Sequence, residues 1–342
     1  MLKAAVIGCG SIAKYRHLPE YAANPEVTLT AVCDINQERA EELGSMFDAM
    51  AYTDYQDMLE REDIDIVSVC TPNYLHAPVS IAALNAGVHV LCEKPMATST
   101  QEADDMIEAA KNAQKWLMIA HNQRFVPSHQ RARDMIARGE LGKIYSFRTA
   151  FGHGGPEGWS ADGADSWFFK KDEAFIGAMG DLGVHKTDLL RYILGEDFTS
   201  VGAFIETSAK DHSTVDDTAV CVLRTGTGII GTLAASWSYT AAEDNATVIY
   251  AEKGIMKLED DPQYNVVIDY ADGEKARFEL GGIQTNESGG QTNSGVIDSF
   301  VSSVQADEEP AIPGEEGKKS LEVILGALEA NESKTIVDLD LG

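Results

Sequence analysis

The segment Glu93-Lys94-Pro95 follows directly on a short apolar run at 88–92. In open parallel α/β sheets, ligands bind in the crevice beyond the carboxyl ends of the strands, so a carboxylate and an ammonium placed there would edge such a crevice. Further along, Gly177, Gly180 and Gly183 punctuate a stretch that contains Asp181 and His185. With a helix starting near Gly180, these two side chains stand at i and i+4 on one face. The three residue types suit removal of a proton from a hydroxyl. An imidazole can take the proton, an ammonium can steady the developing oxygen charge, and a carboxylate can orient either group. Each feature also has a plainer reading. Glu93 and Lys94 could be a solvated pair before a proline that opens the next element. Asp181 could be a helix N-cap and His185 a core or surface histidine.

The elements that would position these groups follow a βα rhythm. An apolar strand at 3–8 ends in Gly8-Cys9-Gly10-Ser11-Ile12-Ala13, a G-x-G-x-x-A pattern. In such a turn the first glycine makes the tight bend, the second lets the backbone approach a pyrophosphate, and the small final residue lets helix and strand pack closely. The helix over 11–16 is expected to break, because Pro19 lacks an amide hydrogen, and to restart near Leu18. His17 lies at that break, facing either the ligand or solvent. A second strand at 27–33 leads to Asp34, 21 positions after Ala13. A carboxylate there accepts hydrogen bonds from ribose hydroxyls and repels a 2′-phosphate, which selects NAD over NADP. Arg39, one turn into the next helix, is the residue that argues the other way. Helices at 37–47, 54–59 and 74–86, the last carrying His76, alternate with strands at 64–70, 88–92 and 116–120. A further helix begins at Thr98 or Ser99. This alternation predicts a doubly wound parallel sheet.

After residue 120 the rhythm stops. A helix at 128–138 is followed by strands at 144–151, 199–207, 218–223, 229–236, 247–250, 255–258, 266–270 and 277–280. The pattern predicts a large, mainly antiparallel sheet with a few helices. The expected division is therefore a Rossmann domain at 1–120 and an α+β domain at 121–342. An acidic run at 306–310 is the strongest linker signal.

Composition narrows the partners. The 342 residues carry 55 acidic against 27 basic side chains, a formal charge of −28. Such a surface repels nucleic acid and anionic lipid headgroups. An apolar fraction of 44% is ordinary for a globular protein, and no apolar run reaches membrane-spanning length. The chain start reads as a first strand rather than a signal peptide, so the expected location is cytoplasmic. The five cysteines form no Cys-x-x-Cys pair and read as reduced, buried thiols. No His-Glu-x-x-His run is present, and no metal is expected.

Taken in order, five segments make the chain resemble the Gfo/Idh/MocA family of NAD(P)-dependent oxidoreductases. They are Gly8–Ala13, Thr71-Pro72-Asn73 with His76, Glu93-Lys94-Pro95, His121-Asn122-Gln123-Arg124-Phe125, and the stretch from Gly177 to Asp188. The segment Pro313-Gly314-Glu315-Glu316-Gly317 also looks like the family's ending. The resemblance implies hydride transfer between nicotinamide and a ring hydroxyl of a sugar, sugar derivative or cyclitol. It implies Lys94, Asp181 and His185 as the catalytic set, with His185 as acid/base, Lys94 binding the oxygen and Asp181 orienting. Which of Lys94 and His185 is the immediate base stays open. It further implies an unusual, even cis, Lys94-Pro95 bond. The cofactor would be lined by Gly8, Gly10, Ser11, Ile12, Ala13, Asp34, Thr71, Pro72, Asn73, His76, Glu93, Lys94 and Asn122. Arg124, His153 and Trp167, with Asp165, are the substrate-side candidates, Arg124 being equally readable as a structural ion pair and Trp167 as a core tryptophan. The implied assembly is a homodimer or homotetramer through the open face of the second sheet. Two other readings of the fold are a non-catalytic NAD-binding sensor and an enzyme that recycles a tightly bound NAD.

Overall fold

The computed structural model describes residues 1–280 and 293–340. Its first sheet comprises β1 (Leu2–Ile7), β2 (Val27–Cys33), β3 (Met50–Tyr52), β4 (Ile66–Val69), β5 (His89–Cys92) and β6 (Leu117–Ile119), in the order β3-β2-β1-β4-β5-β6. Every pairing in it is parallel. All four residues of β4 are buried, as a strand covered by helices on both faces must be. The strand order reverses between β1 and β4, so a crevice opens beyond their carboxyl ends. Gly8, Thr71 and Lys94 all lie within two residues of strands that end there.

The helix after β1 is not interrupted at Pro19. Residues Ala13–His17 form a wide π-turn, and an α-helix over Leu18–Ala23 takes Pro19 into its first turn. The extra residue in the turn absorbs the missing amide hydrogen without ending the helix. It also rotates His17 inward, to 1% exposure and behind the cleft wall, so the side chain faces neither solvent nor the cleft.

The second sheet comprises β7 (Ile144–Gly152), β8 (Phe198–Glu206), β9 (Thr218–Thr225), β10 (Ile230–Ser236), β11 (Thr247–Ala251), β12 (Gly254–Leu258), β13 (Val266–Tyr270), β14 (Lys275–Phe278) and β15 (Val337–Asp338). Its order is β14-β13-β12-β11-β7-β10-β9-β8-β15. The β7–β10 pair is parallel and its neighbours are antiparallel. In β9, Ala219, Cys221 and Leu223 point into the core while Val220, Val222 and Arg224 point out, the period-two alternation of a one-sided sheet.

Two apolar cores result, one per sheet. The helix Val296–Ala306 follows the second sheet in sequence yet buries Val296, Ile297, Phe300 and Val301 in the first core. The helix Gly314–Ser333 then places Leu321 in the first core and Val323, Ile324 and Ala327 in the second.

Candidate active site

A cleft of about 710 Å³ runs from the glycine turn after β1 to the cluster of Lys94, Asp181 and His185. Its geometry suits a dinucleotide. Gly8 has φ +93°, and a Cβ there would lie 2.4 Å from the Cys70 carbonyl oxygen, so only glycine fits. A Cβ on Gly10 would meet nothing within 4 Å, which leaves its backbone open to the cleft. Ser11 and Ile12 line the same wall, whereas Ala13 is fully buried beneath the turn, packing the helix on the sheet. Asp34 faces the far end and accepts hydrogen bonds from the Cys9 and Asn36 amides, each at 2.8 Å. Nearer the middle, Thr71 Oγ1 and Asn122 Oδ1 are buried with no hydrogen-bond partner among the described residues. Both residues line the cleft and are ready for a bound polar group. Pro72 and Asn73 line it too, with the Asn73 amide donating to the Ala174 carbonyl at 2.8 Å.

His76 plays a supporting part. Its Nδ1 lies 2.7 Å from the Pro95 oxygen and its Nε2 2.9 Å from the Thr71 oxygen, so both nitrogens are occupied by backbone. It thereby ties the two cleft-forming turns together. The Lys94-Pro95 peptide is cis.

At the catalytic end, Lys94 Nζ donates to Asp181 Oδ1 at 2.9 Å and to the Asp181 carbonyl oxygen at 3.1 Å. Two of its three N–H bonds are thus committed, leaving one for a ligand oxygen. The other Asp181 oxygen, Oδ2, accepts from Trp237 Nε1 at 3.2 Å. Asp181 sits in a π-turn, Met179–Gly183, that leads into the α-helix Val184–Leu194 carrying His185. The expected regular i, i+4 spacing is therefore widened locally, and both side chains still line the cleft. Burial, then the charges of Lys94, His121, Arg16 and Lys186, hold the His185 pKa well below 6.5. The imidazole is therefore neutral, and its Nδ1 is buried with no hydrogen-bond partner among the described residues. Phe151 packs against that ring with centroids 5.8 Å apart.

Glu93 is braced from below. Its Oε1 accepts from His17 Nε2 at 2.9 Å, and His17 Nδ1 meets Ser68 Oγ at 2.9 Å. The Tyr21 hydroxyl closes this buried chain on the same Ser68 oxygen. Burial alone would raise the Glu93 pKa, but the His17 hydrogen bond and the charges of His17, Lys94 and Arg16 outweigh it and bring it down to about 2. Glu93 Oε2 also accepts the Lys94 amide at 3.2 Å, which fixes the start of the bend.

The loop after β7 forms the opposite wall. His153, Trp159, Asp165, Trp167 and Phe168 all line the cleft. Trp167 stacks on Phe168 at 3.9 Å, and Trp159 meets Phe168 edge-on at 5.1 Å. Arg124 is not brought to the cleft. It forms a bidentate pair with buried Asp188 at 2.8 and 2.6 Å and reaches Glu316 at 2.9 Å, joining the catalytic helix to the chain's last long helix. The five cysteines are unpaired and buried, and burial with the Asp34 charge pushes the Cys9 thiol up to about 12. Sequence reasoning missed Trp237, Phe151 and Trp159. Their only local signal is that of ordinary core aromatics, and their roles arise from strands and loops distant in sequence.

A parallel nucleotide-binding sheet, a glycine turn at its switch point and a Lys-Asp-His cluster across the cleft define a two-domain oxidoreductase. Comparison with known proteins gives the same class. The NAD-binding Rossmann domain of the Gfo/Idh/MocA oxidoreductases matches residues 2–121, and that family's C-terminal domain matches residues 129–257. The chain is 32% identical to levoglucosan dehydrogenase of Pseudarthrobacter phenanthrenivorans over 268 residues, 69% of this chain and 67% of that one. It is 25% identical to myo-inositol 2-dehydrogenase of Thermotoga maritima, over 99% of both. Among solved structures, levoglucosan dehydrogenase with NADH and levoglucosan superposes with a TM-score of 0.86 at 25% identity, over 99% of each chain. Aldose-aldose oxidoreductase from Caulobacter crescentus superposes at 0.84 with 26% identity, again over 99% of each. The chain belongs to the Gfo/Idh/MocA oxidoreductase family.

Proposed function

We propose that this protein is an NAD-dependent dehydrogenase acting on a ring secondary hydroxyl of a sugar, sugar derivative or cyclitol. The observation that carries the reading is the cluster at the cleft end: a half-committed Lys94 ammonium, its Asp181 partner and a neutral His185. Nicotinamide, when bound, supplies the acceptor for the hydride. Gly8, Gly10, Ser11, Asp34, Thr71, Asn73 and Asn122 would hold the dinucleotide along the open wall. Lys94 would donate its remaining N–H to the substrate oxygen and stabilise negative charge growing there. Asp181, held by Trp237, aims the ammonium. His185 takes the hydroxyl proton, because it is the group kept neutral while Lys94 is tied to two oxygens. The aromatic wall of Trp159, Trp167 and Phe168 suits the apolar C–H face of a ring, and His153 and Asp165 offer polar contacts to its hydroxyls.

NAD is preferred to NADP because Asp34 occupies the ribose end of the cleft. With the two sheets goes a division of labour: residues 1–120 serve the cofactor, and 121–342 serve the substrate and assembly, the helix Val296–Ala306 packing back on the cofactor side. Assembly as a homodimer or homotetramer uses the outer face of the second sheet. Among the described residues no helix is long and apolar enough to cross a membrane, and the reading places the enzyme in the cytoplasm.

A substrate screen tests the function. Sugars, anhydrosugars, glycosides and cyclitols are incubated with protein and NAD, and reduced nicotinamide is followed by absorbance. Turnover on at least one ring polyol is expected. Tight NAD binding with no turnover across the library would overturn the dehydrogenase reading in favour of a sensor.

A further inference from the structure

The adenosine end of the cleft holds a contact between residues 123 positions apart. Arg39 Nη2 donates to Asp162 Oδ1 at 2.7 Å. Both residues line the cleft, Arg39 from the helix after β2 and Asp162 from the loop after β7, with Asp34, Ile35, Thr53 and Tyr55 around them. Asp162 is not a stray surface acid. Its loop is pinned to the glycine turn, where the Ser11 hydroxyl donates to the Trp159 carbonyl at 2.7 Å. The loop's other end is held by Lys210, which donates to the Gly154 carbonyl at 2.6 Å and to Glu157 at 2.7 Å.

Arg39 is the residue on this wall that could serve a 2′-phosphate. An arginine near the acid at the end of the second strand is how such folds accommodate NADP. Its charge is felt at the site: Arg39 and Asp34 act in opposite senses on the Cys9 thiol at the foot of the glycine turn. Among the described residues, the other cations lining the cleft are Arg16, Lys94 and Lys170. Lys94 is bound to Asp181, Lys170 pairs with Glu173, and Arg16 lies beside Glu93 at the catalytic end.

We propose that Asp162, carried by the substrate-side loop, is a cofactor-selecting residue: by occupying the Arg39 guanidinium it removes the phosphate-binding group from the adenosine end and favours a free 2′-hydroxyl over a 2′-phosphate. A phosphate entering there would carry nearly two negative charges into a site edged by Asp34 and Asp162. An exposed ion pair contributes little to fold stability, so the pair's effect lies in the choice of ligand. The inference rests on the NAD reading above and adds a second determinant to Asp34, supplied by the other domain.

The test is a titration of the full-length protein with NAD⁺ and with NADP⁺, following ligand binding by calorimetry. It compares wild type, Asp162→Asn and the double variant Arg39→Ala with Asp162→Asn. Asp162→Asn keeps the size of the side chain and removes its charge. The expected result is a gain in NADP⁺ affinity of about 5-fold or more, with NAD⁺ affinity changed less than about 3-fold, as for one freed charge-assisted contact. The double variant should lose the gain, which ties it to the guanidinium. Wild type that prefers NAD⁺, with an unchanged NAD⁺/NADP⁺ ratio in Asp162→Asn, overturns the role of Asp162 and leaves the Asp34 reading standing. Wild type that prefers NADP⁺ overturns both.

Discussion

At the residue scale, the proposed mechanism separates two tasks that a single lysine or histidine performs poorly together. Lys94 is fastened to two Asp181 oxygens, so it acts as a fixed charge. His185 is held neutral, by burial first and by nearby positive charge second, so in this mechanism it is the group that accepts the proton. Lys94→Ala should lower kcat by about 10²–10³-fold, as for loss of one preorganised donor to a developing oxyanion. His185→Ala should cost about 10²–10⁴-fold, the range for a positioned general base. NAD affinity by titration should stay within a few-fold in both, because neither side chain belongs to the glycine-turn end of the cleft. Turnover at the wild-type rate in both variants would remove the assignment. The pH profile is a separate check. Proton acceptance requires neutral His185, and its pKa lies below 6.5, so activity persists as pH falls through 6.5 and is lost only at lower pH. The acid limb of kcat/KM for oxidation should therefore have its midpoint below pH 6.5, and His185→Ala should abolish that limb. A limb centred above 6.5 would mean that another group is the base.

At the scale of the element, the Asp181 carboxylate is set by three segments far apart in sequence. The π-turn Met179–Gly183 presents Asp181, and Trp237, just past β10, fixes one of its oxygens. Asp216, just before β9, receives the Gly177 and Met179 amides at 2.7 and 2.8 Å and so holds the entry to the turn. Trp237→Phe keeps most of the buried volume and deletes the indole donor. A hydrogen bond to a charged group is worth about 1.5–3 kcal/mol, so kcat should fall by roughly 10-fold or more with KM and NAD affinity little changed. Unchanged kcat would show that Lys94 alone orients Asp181. Such pairings explain what the sequence could convey. The G-x-G-x-x-A turn, Asp34 and the strands at 27–33 and 266–270 were legible because local periodicity and turn chemistry decide them. The two π-turns were not, since one inserted residue leaves no mark in a helical pattern. The three-residue β3 and two-residue β15 are too short to carry periodicity and exist through their neighbours. His17 had two open readings until the widened turn placed it against Glu93. Arg124 could not be sorted between substrate and structure until Asp188 and Glu316, from two other helices, closed on it.

At the scale of the whole molecule, the second sheet poses a physical problem. Its inner face is covered by the helices of the second core, while its outer face exposes a group of apolar residues bordered by Arg148, Arg224 and Thr232. Phe204 on β8 stands opposite Val220 on β9, and Val222 stands between Gly202 and Thr232 of the neighbouring strands. Phe204 is 73% exposed and Val222 57%, with Val220, Ile230 and Ile336 also exposed. Antiparallel sheets that face water normally alternate to polar residues on that side. A contiguous apolar patch on a globular protein marks an interaction surface. The edge strands do not compete for that role, because β14 carries Lys275 and Arg277 and so discourages strand addition. The occupant that satisfies the face with the least new chemistry is a second copy of the same sheet, since a two-fold axis pairs each patch with itself. The proposed dimer or tetramer follows, and the acidic surface elsewhere, with the chain at −28 overall, limits further growth by repulsion. Sedimentation of the wild-type protein should give a dimer or tetramer. Phe204→Glu combined with Val222→Glu buries carboxylates in the paired face and should shift it to monomer while leaving the fold, read by circular dichroism, intact. None of these exposed residues lines the cleft, which is built from the other sheet, the helix carrying His185 and the loop after β7. NAD binding by the monomeric variant should therefore remain within a few-fold of wild type. A wild-type protein that sediments as a stable monomer at concentrations well above micromolar would leave the patch without its partner and refute the assembly.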